Sequence, residues 1–435
     1  MPGPDDPRRI LICGMYDMRN FGDLMFPLIA GHELGARGLE VAALSPTGAG
    51  TGLAEAMPTR PIAALFDPDT PVDGVVIGGG YIVHTHRMDM LREYRGGEVG
   101  AAAAPSVWLG ATLGAALRDV PVAWNAPGAP HPIRPGARAL AARAFAAADY
   151  MSLRDTGSAR MVGLSPDGGE GAVDLHVVPD PVLGIDRLWP GATLRPDYER
   201  LCARLGVPAD RVLAIHVRGR SLAGQPIPEF AGELAETCRA LDLVPVMIGL
   251  GSAHSDDRIA RELAAALDAR GCPGAALDRP EGLRDIAALL AHARAYAGSS
   301  LHGYITAAAY GVPGRLVARP AYRKFDGLVG HLDRPGDKVA DWAGALAGLP
   351  AALADGRTAL PVGIGAALDR HWDQMADSLS AGPAPGRARR LDFATRAMAE
   401  GLAQAGPDWA MTPFTTAQDR AAAATGDDVR EKEPF

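Results

Sequence analysis

GSSLHGYITAAAYGVPGRLVARPAYRK, from Gly298 to Lys324, sets one histidine between a strand and a helix. Leu283–Arg294 upstream carries apolar residues at helical spacing. Ala295–Ser299 then reads as a short buried strand, and Gly303–Tyr310 as a helix stopped by Gly311, Val312 and Pro313. His302 therefore lies at a helix N-terminus, where the first N–H groups lack internal partners and favour an anion. Ser299 and Ser300 are placed to cap that end or to donate to a ligand, with the backbone of Gly303 beside them. Arg315, Arg319, Arg323 and Lys324 follow closely. An imidazole, a helix N-terminus and guanidinium groups suited to two-pronged bonds make an anion site with a proton donor attached. The plain alternative is a histidine that ends a helix and does no chemistry, and these residues alone leave both open.

Around this stretch the chain alternates strands and helices. At 435 residues it exceeds one ordinary core and fits two domains of about 150 to 200 residues plus a tail. A composition 48% hydrophobic and 22% charged, with mean hydropathy near zero, describes a globular protein. The net charge of −8 and the lack of a Lys/Arg run argue against general nucleic-acid binding. Cys13, Cys202, Cys238 and Cys272 are far apart, show no metal-ligand spacing and read as reduced, buried thiols of a cytoplasmic protein. The start, MPGPDDPRR, does not read as a signal peptide. Val99–Leu117 is uncharged and long enough to resemble a membrane span, but its Ala, Gly and Pro105 point to a buried helix.

Residues 8–185 suggest a first domain with strands at Arg9–Cys13, Glu40–Leu44, Val72–Ile77, Val120–Asn125, Tyr150–Leu153 and near Leu175–Val178. Helices are expected at Asp23–Arg37, Ala101–Arg118 and Gly136–Ala148, which makes a doubly wound parallel sheet. Ligands of such sheets meet the loops beyond the carboxyl ends of the strands. Here those loops are GMYDMRNFGD at 14–23, GGGY at 78–81, WNAPG at 124–128, and Arg154 with Asp155. Gly22 permits a tight turn and Asp23 suits a helix cap, which leaves Asn20 unexplained. Gly79 and Gly80 either let a backbone approach a ligand or let a strand end against a helix. Arg154 closes an apolar strand and needs a cleft or a carboxylate such as Asp155. Asp180 and Pro181 read as a turn. His84 and His86, two apart, lack a third ligand at suitable spacing, so no metal is expected, and their loop is read as lining an acceptor.

Residues 186–210 read as a linker with a helix at Asp197–Leu205. A second domain, 211–335, repeats the first: strand Val212–Val217, helix Pro228–Leu241, strand Val244–Gly249, helix Asp256–Ala269, helix Leu283–Ala293 and the opening stretch. His216, Arg218 and Arg220 end its first strand, and Arg218 either adds charge to a cleft or decorates a strand edge. Residues 336–406 are helical, at Asp341–Ala354, Gly363–Ser378 and Leu391–Ala405, and 407–435 reads as a mobile tail. The Walker, dinucleotide and Gly-x-Ser-x-Gly patterns are missing.

The run SSLHGYITAAAYGVP resembles the C-terminal motif of the polysaccharide pyruvyltransferase family, in its exopolysaccharide-type branch. Asn-x-Gly-Asp at 20–23, Arg154-Asp155 and Asp180-Pro181 resemble others of its motifs. The resemblance spans most of residues 8–330 and implies two Rossmann-like domains facing across a cleft in a glycosyltransferase-B-like arrangement. It also implies an enzyme that moves a pyruvyl group from phosphoenolpyruvate to a sugar as a cyclic ketal, with release of phosphate. The donor is then a co-substrate, and no cofactor is implied. His302, Arg154 and Asp23 would be catalytic, with Asn20, Gly22, Gly79, Gly80, Arg218, Ser299, Ser300, Gly303 and Lys324 around the donor. Ser300 stands where the family often has Arg. The expected partners are a carbohydrate acceptor and a second copy of the chain. A nucleotide-sugar glycosyltransferase of the same architecture and a catalytically silent sugar-binding protein are the competing expectations.

Overall fold

The computed structural model describes residues 7–95, 99–166, 173–251 and 256–406. Two parallel sheets dominate it. The first contains β1 (Arg8–Cys13), β2 (Leu39–Ser45), β3 (Thr59–Pro61), β4 (Gly74–Ile77) and β5 (Val122–Trp124) in the order β3-β2-β1-β4-β5. A parallel bridge between Ala123 and Tyr150 continues it to the pair β6 (Met151–Leu153) and β7 (Leu175–Val177). The second contains β8 (Val212–His216), β9 (Val244–Ile248), β10 (Ala275–Leu277), β11 (Ala295–Gly298), β12 (Gly314–Val317) and β13 (Lys338–Val339), ordered β10-β9-β8-β11-β12-β13. Counting strands from the start of each half, both sheets run third, second, first, fourth, fifth. Their central strands are mostly apolar, as parallel strands covered on both faces must be, with Ile10, Leu11, Ile12 and Cys13 in one and Val212–His216 in the other all buried.

The parallel arrangement sends every strand's carboxyl end to one edge of its sheet. The helix Phe21–Gly35 after β1 and the helix Leu301–Ala309 after β11 meet there, both packed on the turn Pro181–Gly184. A single apolar core runs beneath them from Ile10 and Phe26 through Val182 to Leu289 and Tyr296. The helix Gly191–Leu205 starts earlier than the sequence suggests, carries Pro196 inside it, and packs along Leu283–His292.

After β13 the helix Trp342–Asp355 covers β11 and β12, and the chain then returns to the first half. Val362–Ser380 packs on β5, and Arg387–Ala405 packs on the helices Ala111–Leu117 and Arg138–Ala146. Buried polar ties secure this return: Arg390 to Asp149 at 2.5 Å, and His371 to the Tyr150 hydroxyl at 2.8 Å and to Asn125 at 2.9 Å.

The apolar run expected as one buried helix is helical without a gap from Gly100 to Leu117 but changes its hydrogen-bonding pattern, with a wide π turn at Ser106–Gly110 after Pro105, and about half of it is buried. That run is the one helix among the described residues long and apolar enough to cross a membrane. The stretch 407–435, read as a mobile tail, lies outside the described residues.

Candidate active site

β11 stops at Gly298, and Ser299 and Ser300 turn the chain into the helix Leu301–Ala309. Ser300 is the cap: its Oγ accepts the Gly303 N–H at 3.2 Å, so that N–H is not free for an anion. Ser299 is buried, and its Oγ accepts the Arg218 N–H at 3.0 Å, tying the exit of β8 to that of β11. Both residues brace the site, but only Ser300 lines the cavity described below. Gly303 is also small for a packing reason, since a Cβ there would come within 2.6 Å of the Tyr296 hydroxyl.

His302 is the second residue of this helix and points toward the first half. Its ring meets Phe26 edge-on, centroids 5.5 Å apart, and its Nε2 lies 3.5 Å from Asp180 Oδ2, too long for a formed hydrogen bond. Nδ1 faces Gly22 so closely that a Cβ there would sit 1.7 Å away. Gly22 therefore acts by leaving room for the imidazole. Gly79 does the same for Phe26, because its Cβ would lie 2.0 Å from the Phe26 ring. Gly80, at φ +95°, lets the backbone pass Asp23, whose Oδ1 would be 2.8 Å from an added Cβ. Asp23 Oδ2 accepts the Asn20 side-chain N–H at 2.6 Å. Burial raises the Asp23 pKa, partly countered by His302, Lys324, Arg154 and Arg218.

Arg154 leaves the end of β6 and is buried, with Nη1 3.4 Å from Asp180, Nε 3.5 Å from Asp155, and the guanidinium 4.8 Å from the centre of the Tyr81 ring. The expected Arg–Asp pair and the expected cleft contact are thus both present. Its Nε and Nη2 are buried and make no hydrogen bond, nor does the buried Nε of Arg218. Lys324 joins them with Nζ 4.9 Å from the Tyr81 ring and no ion pair among the described residues. Burial lowers its pKa to about 7, helped by Arg154 and Arg218 and opposed by Asp23 and Asp180. Of the four cations in the opening stretch only Lys324 reaches the cavity: Arg315 pairs with Asp337 at 2.7 Å, Arg323 reaches the Pro130 carbonyl at 3.4 Å, and Arg319 is exposed. His216, buried, pairs with Asp256 at 2.9 Å and serves the second sheet.

Asn20, Asp23, Arg154, Arg218, Ser300, His302 and Lys324 line one cavity of about 330 Å³ between the two sheets. A larger recess, about 560 Å³, lies between Tyr150, His176 and Arg389 at the opposite ends of the strands and holds none of these groups. Three cations and an imidazole thus surround a space beside which Arg154 Nε and Nη2 and Arg218 Nε are buried without a hydrogen bond. Such a space is built for a small anion.

Asp180 is the residue that sequence reading missed. Its Oδ1 accepts the Val182 N–H at 3.1 Å, which is the turn expected of Asp-Pro, while Oδ2 faces His302 and Arg154. Burial alone would raise its pKa, but His302, Arg154 and the Val182 N–H outweigh burial and hold it below the usual carboxylate range. Tyr81 was also missed as a platform for two cations, although it closes the Gly-Gly-Gly-Tyr loop. Among the described residues no group of three His, Cys, Asp or Glu could hold a metal.

Two parallel sheets with helices and a cleft at their carboxyl edges make an α/β fold of the glycosyltransferase-B type, and the cationic pocket lies in that cleft. The family model for polysaccharide pyruvyl transferase matches residues 20–320, and the chain belongs to that family. No curated protein matches it. Among solved structures it is similar to a UDP-GlcNAc 2-epimerase from Neisseria meningitidis, with TM-score 0.51, 12% identity, and 83% of this chain and 98% of that one covered. A putative UDP-N-acetylglucosamine 2-epimerase from Listeria monocytogenes gives TM-score 0.48, 13% identity and coverage of 92% and 98%. The E. coli ADP-heptose LPS heptosyltransferase II gives 0.41, 13%, 80% and 99%. At these identities the first likeness speaks to the fold alone.

Proposed function

We propose that the chain transfers a pyruvyl group from phosphoenolpyruvate to two hydroxyls of a sugar, forming a cyclic ketal and releasing phosphate. One observation carries this reading: Arg154 and Arg218, each with buried donor atoms that make no hydrogen bond, share a cavity with Lys324 and His302. The donor has a carboxylate and a phosphate, and the guanidinium groups suit both.

In the reaction one sugar hydroxyl adds across the enol double bond, its oxygen bonding to C2 while a proton makes the methylene a methyl group. The second hydroxyl then bonds to C2 as the C2–O bond to phosphate breaks, and its proton leaves with the phosphate. Redox state is unchanged. His302 is the acid for the methylene, and Asp180 positions its ring. Asp23, with its raised pKa, takes the proton of the attacking hydroxyl, and Asn20 holds that carboxylate in place. The cations neutralise charge as phosphate departs.

The test is phosphate release from phosphoenolpyruvate over a panel of sugar acceptors, with wild type, His302→Ala and Arg154→Ala. Both variants should lose most of their turnover. Full turnover in both would refute the site, and release of a nucleoside diphosphate from a nucleotide sugar would favour glycosyl transfer instead.

A further inference from the structure

Three histidines and an arginine gather at the rim of the same cavity without entering the chemistry above. The ring centroids of His84 and His86 lie 5.7 Å apart and those of His86 and His131 4.7 Å apart. His84 and His131 line the cavity. The loop bearing the first two is held in place, since the Trp108 indole N–H donates to the His84 carbonyl at 3.1 Å and the Val83 N–H to Gly128 at 3.2 Å.

Hydrogen bonds fix the tautomers of two of these rings. His84 Nδ1 lies 3.2 Å from the His86 N–H and accepts from it. A guanidinium has no acceptor, so His86 Nδ1, 3.3 Å from Arg134 Nη2, must accept as well. Both rings therefore carry their proton on Nε2. Burial and the other two imidazoles push His84 down to about 4, and burial, His131 and Arg134 lower His86, so both are neutral near pH 7. The neighbouring Arg87 and Asp89 pair with each other. The result is a rim of N–H donors with no carboxylate hydrogen-bonded to the imidazoles or to Arg134 among the described residues.

We propose that His84, His86, His131 and Arg134 form an acceptor subsite that reads an anionic substituent, a carboxylate or a phosphate, on the sugar to be modified. This rests on the donor reading above and adds a substrate class to it: acidic or phosphorylated sugars over neutral ones. A shared metal ion fits the cluster less well, because the Nδ1 atoms of His84 and His86 are occupied and, among the described residues, no three ligands are placed to hold one ion.

The experiment follows the histidine ring signals of the full chain by NMR during titration with glucuronate, glucose 1-phosphate and glucose. At least one anionic sugar should shift the His84 and His86 signals with affinity about tenfold above glucose, roughly one charge-assisted hydrogen bond. A response to glucuronate alone identifies the carboxylate as the group read, and a response to glucose 1-phosphate alone identifies the phosphate. His84→Gln, whose amide N–H stands in for Nε2–H, should keep the preference. His84→Ala combined with His86→Ala should abolish it while phosphoenolpyruvate affinity is retained. Equal affinity for glucose, a preference surviving the double substitution, or stoichiometric zinc capture by the three rings would each overturn the proposal. Failure of wild type to release phosphate from phosphoenolpyruvate would count against the donor reading and leave the titration result standing.

Discussion

The loops after β4 and β11 occupy the same place in two sheets of the same strand order, yet they bring opposite things to the cleft. After β4 the chain offers Gly78, Gly79 and Gly80; after β11 it offers Ser299, Ser300 and His302. The glycines of the first half, Gly22 included, empty the space that Phe26, Asp23 and the imidazole fill. The second half projects a ring, and the first half is shaped to receive it. The two buried carboxylates differ in a matching way. At Asp23 burial outweighs the neighbouring cations and the pKa rises, whereas at Asp180 His302 and Arg154 outweigh burial and the pKa falls. One fold thus sets two buried carboxylates with pKa values shifted in opposite directions near the same ring.

The comparison breaks most visibly if the projecting ring is removed. His302→Asn keeps the approximate shape and loses the acid, so phosphate release should drop about 10²- to 10⁴-fold, with the thermal midpoint little changed. Next comes the receiving surface. Gly22→Ala places a methyl on the imidazole and should cost about 10²-fold in kcat. Gly35→Ala in the same helix meets nothing within 4 Å and should leave kcat alone while adding up to about 1 kcal/mol of stability. If the two alanines behave alike, the socket reading is wrong.

A smaller effect separates charge from shape. With its pKa near 7, Lys324 is cationic below that pH and neutral above it. Donor binding should therefore weaken as pH rises through 7, with KM for phosphoenolpyruvate climbing about tenfold, the worth of one charge-assisted contact. Lys324→Arg stays charged and should flatten that rise. A KM that is flat in wild type between pH 6 and 8.5 would remove Lys324 from the donor site.

Much of this architecture was legible in the sequence because it rests on local rules. Apolar strands alternating with periodic helices gave both sheets, and the serines before His302 marked a helix start, expected at Gly303 and found two residues earlier at Leu301. The short strands β3, β10, β12 and β13 were not legible, since two to four residues carry little pattern and only pairing with neighbours defines them. At the site, residue type pointed to His302, Arg154, Lys324 and Asp23. What it missed depends on which atom faces where. Asp180 looked like a turn residue because one of its oxygens is one, and its other oxygen meets partners 26 and 122 positions away, as sequence separation from Arg154 and His302 shows. Gly22 and Gly79, which the resemblance put around the donor, are cleared for side chains of the protein itself; for Gly79 this is the alternative of a strand ending against a helix, since Phe26 belongs to Phe21–Gly35.

The smallest effect tests whether Ser300 is only a cap. Asp341 caps the helix Trp342–Asp355 far from the cavity, its Oδ1 accepting the Gly344 N–H at 2.8 Å, and Ser300 does the same for Gly303 at 3.2 Å. Either residue changed to alanine should lower stability by about 1 kcal/mol in urea unfolding. They should part in the assay. Asp341→Ala should leave KM for phosphoenolpyruvate where it was, whereas Ser300→Ala frees the Gly303 N–H at the edge of the cavity and loosens the turn that carries His302. A severalfold change in donor KM for Ser300→Ala alone would show that the cap also sets the donor site; identical kinetics in the two variants would reduce Ser300 to a structural serine and leave His302 held by its packing against Phe26 and Gly22.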